Sequence, residues 1–163
     1  MPIIIADRLI GQENTPFIIA EMSGNHNQSL DRALAIVDAA ATAGAHALKL
    51  QTYTADTMTL DVQGGSFEIN DPNSLWAGQN LHKLYQQAYT PWEWHAPIMA
   101  RAKEHGLICF SSPFDETAVD FLEELEVPAY KIASFENNHL PLIAKAAATG
   151  KPLIISTGMA SLG

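Results

Sequence analysis

The chain has 163 residues, 47% of them apolar, and a formal net charge of −9 from 18 acidic and 9 basic side chains. The length suits one domain, placed at 1–163, and the acidic balance argues against nucleic acid or an anionic membrane as a partner. No apolar run is long enough to span a bilayer, and no secretory signal is recognised at the N-terminus. Together with a single cysteine, Cys109, these features predict a reduced, cytoplasmic setting.

Five apolar stretches have the length and the flanking polar loops of buried strands. They lie at 17–21, 47–53, 107–111, 129–136 and 153–158, the fourth passing into a loop at its end. Helical periodicity, capping residues and closing glycines predict helices between them, at 30–43, 81–89, 91–105, 116–125 and 140–149. Residues 3–10 indicate a short strand pair ahead of this pattern, with a turn at Gly11. The segment 54–80 is long and polar, which predicts an excursion, meaning a connection that folds over a functional site.

The order of these elements predicts the fold. Strands that alternate with helices form a parallel sheet with the helices packed outside it. No glycine-rich phosphate loop follows the first strand, so a nucleotide-binding open sheet is disfavoured. A (β/α)8 barrel explains the polar strand ends, because its active site lies at the C-terminal ends of the strands. Since five units cannot close such a barrel, we predict an α/β fold: an incomplete (β/α)8 TIM barrel, with about the first five βα units preceded by a short N-terminal strand pair.

Polar side chains collect at the C-terminal part of the strands. They are Glu21, Lys49, Ser112, Lys131, Ser134, Glu136 and Ser156. Lysine is rarely buried without a partner, and alternate barrel strands contribute to the same interior layer. The lysines of the second and fourth strands therefore have the placement to converge, and two cations with hydroxyl donors form a receptor for a compact polyanion, such as a phosphate that bears a carboxylate.

The alternative for these lysines is a pair of internal salt bridges, Lys49 with Glu21 and Lys131 with Glu136. Buried ion pairs stabilise a fold poorly, which makes this alternative the less favoured one. The histidines leave a second question open. His26, in the loop after the first strand, either orients a substrate or holds the loop by hydrogen bonds. The remaining histidines lack the spacing of metal ligands, so no metal ligand is predicted among them.

Six motifs, taken in chain order, resemble those of the sialic acid synthase family. They are EMSGNHN at 21–27, KLQTY at 49–53, TPWEWH at 90–95, FSSPF at 110–114, YKIASFE at 130–136 and STGM at 156–159. Within the family they are most similar to the branch that makes pseudaminic acid, chiefly through 23–27, 92–95 and Phe135. The resemblance covers nearly the whole chain.

The resemblance implies a reaction. Members condense phosphoenolpyruvate with an aminosugar and water, giving a nine-carbon 2-keto acid and phosphate. For the pseudaminic acid branch the sugar is 2,4-diacetamido-2,4,6-trideoxy-L-altrose; N-acetylneuraminate and legionaminate synthases are the alternatives within the family. The resemblance also implies a role for each candidate residue: phosphoenolpyruvate held by Lys49, Ser112, Lys131, Ser134 and Ser156, sugar contacts from Glu21, Asn25 and His26, and catalysis by Glu21 and Glu136, with Glu136 handling the proton of the attacking water.

The family also implies a divalent metal, Mn²⁺ or Mg²⁺, bound by two histidines on later strands, an antifreeze-like domain after the barrel, and a domain-swapped homodimer. This sequence has none of those later elements. We therefore expect that the 163-residue chain, as the N-terminal part of such an enzyme, binds no metal, does not turn over alone, and associates through its exposed barrel edges.

Two hypotheses from other classes remain open. A Schiff-base aldolase would use Lys131 or Lys49 as its nucleophile. A non-catalytic partial barrel would bind anions without turnover. Trapping of a carbonyl substrate on a lysine favours the first, and binding of phosphoenolpyruvate without any reaction favours the second.

Overall fold

The structure is a computed structural model that describes residues 3–158, 160 and 161. Its strands are β1 (Ile3–Ile5), β2 (Arg8–Ile10), β3 (Ile19–Glu21), β4 (Ala47–Thr52), β5 (Ile108–Pro113), β6 (Tyr130–Ile132) and β7 (Leu153–Ile155). Its α-helices are α1 (Leu30–Thr42), α2 (Ala55–Met58), α3 (Leu81–Ala88), α4 (His95–Glu104), α5 (Glu116–Glu124) and α6 (Leu140–Ala148). Two 3₁₀ turns, Gly65–Phe67 and Trp92–Trp94, complete the set among the described residues.

Strands β3 to β7 form one parallel sheet in chain order, and β1 pairs with β2 as a separate antiparallel hairpin. Helices lie between successive strands of the sheet, α1 packing on α4 and α5 on α6. Sequential parallel strands with helices on the outside make a half-barrel of the (β/α)8 type. The predicted fold class, including the N-terminal strand pair, is confirmed.

The register of the sheet decides which side chains share its inner face. Lys49 of β4 lies opposite Glu21 of β3, and Ser111 of β5 lies opposite Tyr130 of β6. Paired residues of parallel strands point to the same side, and their chain neighbours point to the other. Lys49 is itself paired with Phe110, so Lys49, Ser112 and Lys131 share one face.

Two apolar clusters pack against this sheet. In one of them, Leu48 and Leu50 of β4 join Val37 of α1 and Ile98 of α4, all fully buried. The other cluster includes Ile5 of the hairpin, which is 3% exposed. The hairpin is fixed at the N-terminal end of the sheet, where Arg8 hydrogen-bonds His46 at 3.1 Å. That arrangement leaves the C-terminal strand ends clear for a site.

Several boundaries differ from the sequence prediction. Strand β5 runs through Pro113 and does not end at Ser111, because Ser112 and Pro113 pair with the last two residues of β4. The strands predicted at 129–136 and 153–158 end earlier, at Ile132 and Ile155. The excursion at 54–80 has some regular structure, namely α2, one 3₁₀ turn and an isolated bridge between Glu68 and Asn80. None of the described helices combines the length and apolar character that a membrane crossing requires.

Candidate active site

Lys131 occupies the middle of β6 and points to the inner face. Its Nζ donates to Ser156 Oγ and to the carbonyl oxygen of Ile132, each at 2.6 Å. Burial lowers the pKa of the Lys131 ammonium, and the charge of Lys49 lowers it further, while Glu21 and Glu136 act in the opposite direction. The two ammonium groups are therefore within range of a direct electrostatic interaction.

Lys49 is 7% exposed and forms a salt bridge with Glu21, its Nζ lying 3.3 Å from Oε1. The Glu21 side chain is 58% exposed, so one partner of this pair is largely hydrated. Of the two salt bridges that the sequence left as an alternative, one is present: Lys49 pairs with Glu21. None of the described residues forms a salt bridge with Lys131. Half-exposed pairs contribute little free energy, which leaves Lys49 available to a stronger anion.

Serine side chains add hydroxyl groups to the candidate site that contains Lys49 and Lys131. Ser112 is fully buried, and its Oγ has no hydrogen-bond partner in the described structure. An unpaired buried hydroxyl costs about 1–3 kcal/mol, so the position favours a ligand or a water molecule beside it. Ser134 lies just past β6, half-buried, and Gly158 of the following loop approaches it closely. A Cβ placed on Gly158 would lie 3.0 Å from the Cβ of Ser134.

Glu136 lies in the turn after β6, half-buried, with Oε2 enclosed and without a hydrogen-bond partner. Burial raises the pKa of this carboxyl group, while a backbone hydrogen bond, His139 and Lys131 oppose the rise. Tyr85 of α3 lies near it, since the charge of Glu136 adds to the burial that raises the pKa of the Tyr85 hydroxyl. A carboxyl group with a raised pKa is a stronger base than an ordinary carboxylate, which suits it to accept a proton.

The loop after β3 carries the predicted sugar-binding residues. Glu21 and Asn25 are exposed, and Asn25 Nδ2 donates to the carbonyl oxygen of Met22 at 2.9 Å. His26 is fully buried: its Nε2 contacts Thr90 Oγ1 at 3.1 Å, and its Nδ1 accepts the backbone N–H of Gln28 at 3.2 Å. These contacts support the loop-holding role of His26. Direct sugar binding by His26 stays a prediction, and no ring nitrogen of His26 is left to serve it in this conformation.

Three further side chains lie at the site and were not predicted as site residues: two tyrosines and a glutamine. Tyr53 follows β4 and meets the rings of Tyr85 and Phe114 edge to face, at centroid distances of 5.8 and 5.4 Å. Gln51 lies two residues beyond Lys49 and opposite Ser112, so it shares their face. The two-residue period of the strand would have identified Gln51. No sequence pattern identifies Tyr85, because α3 reaches the site only through the fold of the long excursion.

A second buried chain of polar groups lies on the opposite face of the sheet. Thr52 Oγ1 contacts His95 Nε2 at 2.9 Å and Ser111 Oγ at 2.6 Å, while His95 Nδ1 contacts the Pro91 carbonyl at 3.3 Å. Burial lowers the pKa of His95 to about 4. His95 is therefore neutral at physiological pH, and it ties the start of α4 to β4 and β5.

The charges and hydroxyls described above suit an anion. Two lysines and an unpaired hydroxyl share the inner face of the sheet toward the C-terminal strand ends, where a TIM barrel binds its substrate. Among the described residues, no three His, Cys, Asp or Glu side chains group as metal ligands would. The arrangement can hold a phosphate or carboxylate and offers Glu136 as a proton acceptor beside it.

One family model matches most of the chain. The model of the NeuB family matches residues 36–163. The chain is 46% identical over 155 residues to a pseudaminic acid synthase of Campylobacter jejuni, covering 93% of this chain and 45% of that protein. It is 49% identical over 146 residues to the pseudaminic acid synthase of Helicobacter pylori, covering 90% and 42% respectively. The chain thus spans less than half the length of these two relatives.

Among solved structures, the chain is similar to an N-acetylneuraminic acid (sialic acid) synthetase from Leptospira borgpetersenii in complex with citrate. The identity is 29%, the TM-score is 0.83, and the likeness covers 99% of this chain and 51% of that chain. A likeness of that extent reinforces the assignment of the half-barrel.

Proposed function

The chain belongs to the NeuB family, and on that premise we propose that it forms part of a pseudaminic acid synthase. The reaction condenses phosphoenolpyruvate with 2,4-diacetamido-2,4,6-trideoxy-L-altrose and water, and it yields pseudaminic acid and phosphate. The identity to two pseudaminic acid synthases, 46% and 49%, supports this substrate over other nonulosonates. A relative that makes N,N'-diacetyllegionaminic acid is 38% identical, so legionaminate, like N-acetylneuraminate, is the alternative product.

One observation carries the proposal: Lys49 and Lys131 share the inner face of the sheet with the unpaired hydroxyl of Ser112, and the charge of Lys49 acts on Lys131. The like charges of Lys49 and Lys131 repel each other, so the folded protein gains stability when an anion binds to both of them. Phosphoenolpyruvate carries both a phosphate and a carboxylate, which matches two ammonium groups. Ser134 and Ser156 supply the remaining donors next to Lys131 in the proposed binding mode.

The proposed chemistry begins when C3 of phosphoenolpyruvate attacks the aldehyde carbon of the open-chain sugar. A carbon–carbon bond forms, the aldehyde oxygen takes up a proton, and C2 is left positively charged. Water then adds to C2, and Glu136 accepts the proton that the water loses. In the resulting tetrahedral intermediate, the bond between C2 and the bridging oxygen breaks, phosphate leaves with the electron pair and a proton, and the keto group forms. Glu21, exposed beside Lys49, is proposed to contact the reacting end of the sugar.

A divalent metal, Mn²⁺ or Mg²⁺, belongs to the proposal as the group that polarises the aldehyde. The described residues contain no cluster that fits it, so none of them is assigned to the metal. A domain-swapped homodimer and a cytoplasmic location are likewise proposed from the family. Neither nucleic acid nor a membrane is proposed as a partner, given the net charge of −9.

Calorimetric titration with phosphoenolpyruvate tests the binding half of the proposal. We expect binding by the unsubstituted chain and at least a tenfold loss of affinity in Lys131→Met. Lys103→Met, which removes an exposed lysine of α4, is the matched control and should bind normally. Equal affinities in all three proteins would contradict the anion site.

Schiff-base chemistry is the second candidate, because burial and Lys49 lower the pKa of Lys131 and favour its nucleophilic amine form. Borohydride treatment in the presence of pyruvate distinguishes the two. Under the synthase proposal no covalent adduct forms on Lys131, and mass spectrometry of the treated protein checks this.

A further inference from the structure

Two adjacent residues of the turn after β6 bury polar atoms that have no partner. They are the carboxylate oxygen Oε2 of Glu136 and the amide nitrogen Nδ2 of Asn137. The turn itself is fixed, since Glu136 N donates to the Ala133 carbonyl at 3.2 Å and His139 N donates to the Glu136 carbonyl at 3.0 Å. The backbone that carries both side chains is therefore hydrogen-bonded within the turn.

The two atoms have opposite hydrogen-bonding needs. An amide nitrogen donates only, whereas an ionised carboxylate oxygen accepts only. Leaving each one buried and unpaired costs about 1–3 kcal/mol. One water molecule satisfies both, because it accepts from the amide and donates to the carboxylate, and buried waters commonly make about three such bonds.

A substrate anion fits this position poorly. A phosphate or carboxylate oxygen can accept from Asn137, but it cannot donate to Glu136 and is repelled by its charge. Lys49 and Lys131 offer such an anion a better place on the inner face of β4 and β6. The occupant beside Glu136 is thus a neutral group that both donates and accepts.

Resting on the proposed function, we infer that Asn137 is a positioning residue that holds the nucleophilic water against Glu136. The amide of Asn137 fixes the water oxygen, and Glu136 Oε2 takes one of its protons. A lone pair of the water oxygen forms the new bond to C2, whose π electrons move to the bridging oxygen and cancel the positive charge. The proton held by Glu136 is returned to phosphate as the bond between C2 and the bridging oxygen breaks, and the C2 hydroxyl releases its remaining proton to solvent as the keto group forms.

Steady-state kinetics of the full-length protein test this inference through phosphate release. We expect Asn137→Ala to lower kcat by about 10²-fold, within the range of proton-transfer contributions, without a change in the KM for phosphoenolpyruvate. Asn137→Ser keeps a short donor and should recover part of kcat. Asn138→Ala, the same truncation at the exposed neighbouring residue, should match the unsubstituted protein.

Other outcomes overturn the inference. A kcat for Asn137→Ala equal to that of Asn138→Ala leaves the amide without a role in the reaction. A rise in the KM for either substrate that accounts for the whole loss of kcat/KM makes Asn137 a substrate contact. A lowered melting temperature that Asn137→Ser restores without recovering kcat makes it a structural residue. No phosphate release by the unsubstituted protein refutes the proposed function itself, and this inference with it.

Discussion

The ammonium groups of Lys49 and Lys131 interact across the sheet although their strands, β4 and β6, are separated by β5. The charge of Lys49 lowers the pKa of Lys131 in addition to the effect of burial. Strand alternation puts both side chains on the inner face, and the curvature of a half-barrel brings them together. This one relationship organises the site, because it creates a place where an anion is stabilised.

Removal of Lys49 should raise the pKa of Lys131. In Lys49→Met the repulsive charge is gone, so the Lys131 pKa should move back toward its ordinary value, although burial continues to lower it. NMR titration of the Lys131 Cε and Nζ resonances measures the shift. In the control variant Lys103→Met, the pKa of Lys131 should equal that of the parent protein. An unchanged Lys131 pKa in Lys49→Met would refute the electrostatic interaction of the two charges.

Glu136 should make the protein less stable as pH rises. Its pKa is raised in the folded state by burial, so above pH 4.5 the folded state binds more protons than the unfolded chain, and stability falls as pH rises through the folded pKa. Glu136→Gln removes this term. The free energy of unfolding of Glu136→Gln, relative to the parent, should therefore be larger at pH 7 than at pH 4 in urea titrations.

The control for this measurement is Glu124→Gln, which removes one exposed carboxylate at the end of α5. Its stability relative to the parent should depend on pH less strongly than that of Glu136→Gln. The opposite ranking would show that the carboxyl group of Glu136 is well solvated in solution.

His95 should make the protein less stable in acid. Its folded-state pKa is about 4, against 6.5 when exposed, so the unfolded state binds more protons between these values and stability rises with pH there. The shift corresponds to about 3 kcal/mol, present above pH 6.5 and lost as pH falls through 4. His95→Gln should flatten this part of the stability profile in denaturant titrations. An unchanged profile in His95→Gln would place the acid sensitivity elsewhere.

A methyl group on Gly158 should weaken anion binding. In Gly158→Ala the new Cβ would lie 3.0 Å from the Cβ of Ser134, so the Ser134 side chain has to shift, and in the proposed binding mode Ser134 contacts the ligand. We expect the affinity for phosphoenolpyruvate to fall about tenfold, or about 1.4 kcal/mol, in calorimetric titrations. Gly11→Ala, at the opposite end of the sheet, tests the same substitution away from the site and should bind normally. Tighter or unchanged binding by Gly158→Ala would show that Ser134 does not contact the ligand.

Strand boundaries were predicted less well than strand identity. The apolar run before Ser112 predicts a strand that ends at Ser111, but β5 continues to Pro113 because β4 offers it two further pairing positions. Pairing partners belong to another part of the chain, and local composition does not report them. The same limit applies to Tyr85, which reaches Glu136 only because the excursion folds α3 toward the strand ends.

Periodicity and residue type alone determined much of this protein. Alternating apolar strands and helices gave the parallel half-barrel, and two lysines inside strands predicted an anion receptor, since a buried ammonium group needs a counter-charge. The tertiary structure decided which groups are left unpaired. In the folded protein Lys49 forms a salt bridge with Glu21, and both ring nitrogens of His26 have hydrogen-bond partners. Ser112, Glu136 and Asn137 each keep a buried polar atom without a partner. Hydrogen-bond satisfaction depends on distances of about 3 Å between residues far apart in the chain, and only the folded arrangement fixes those distances.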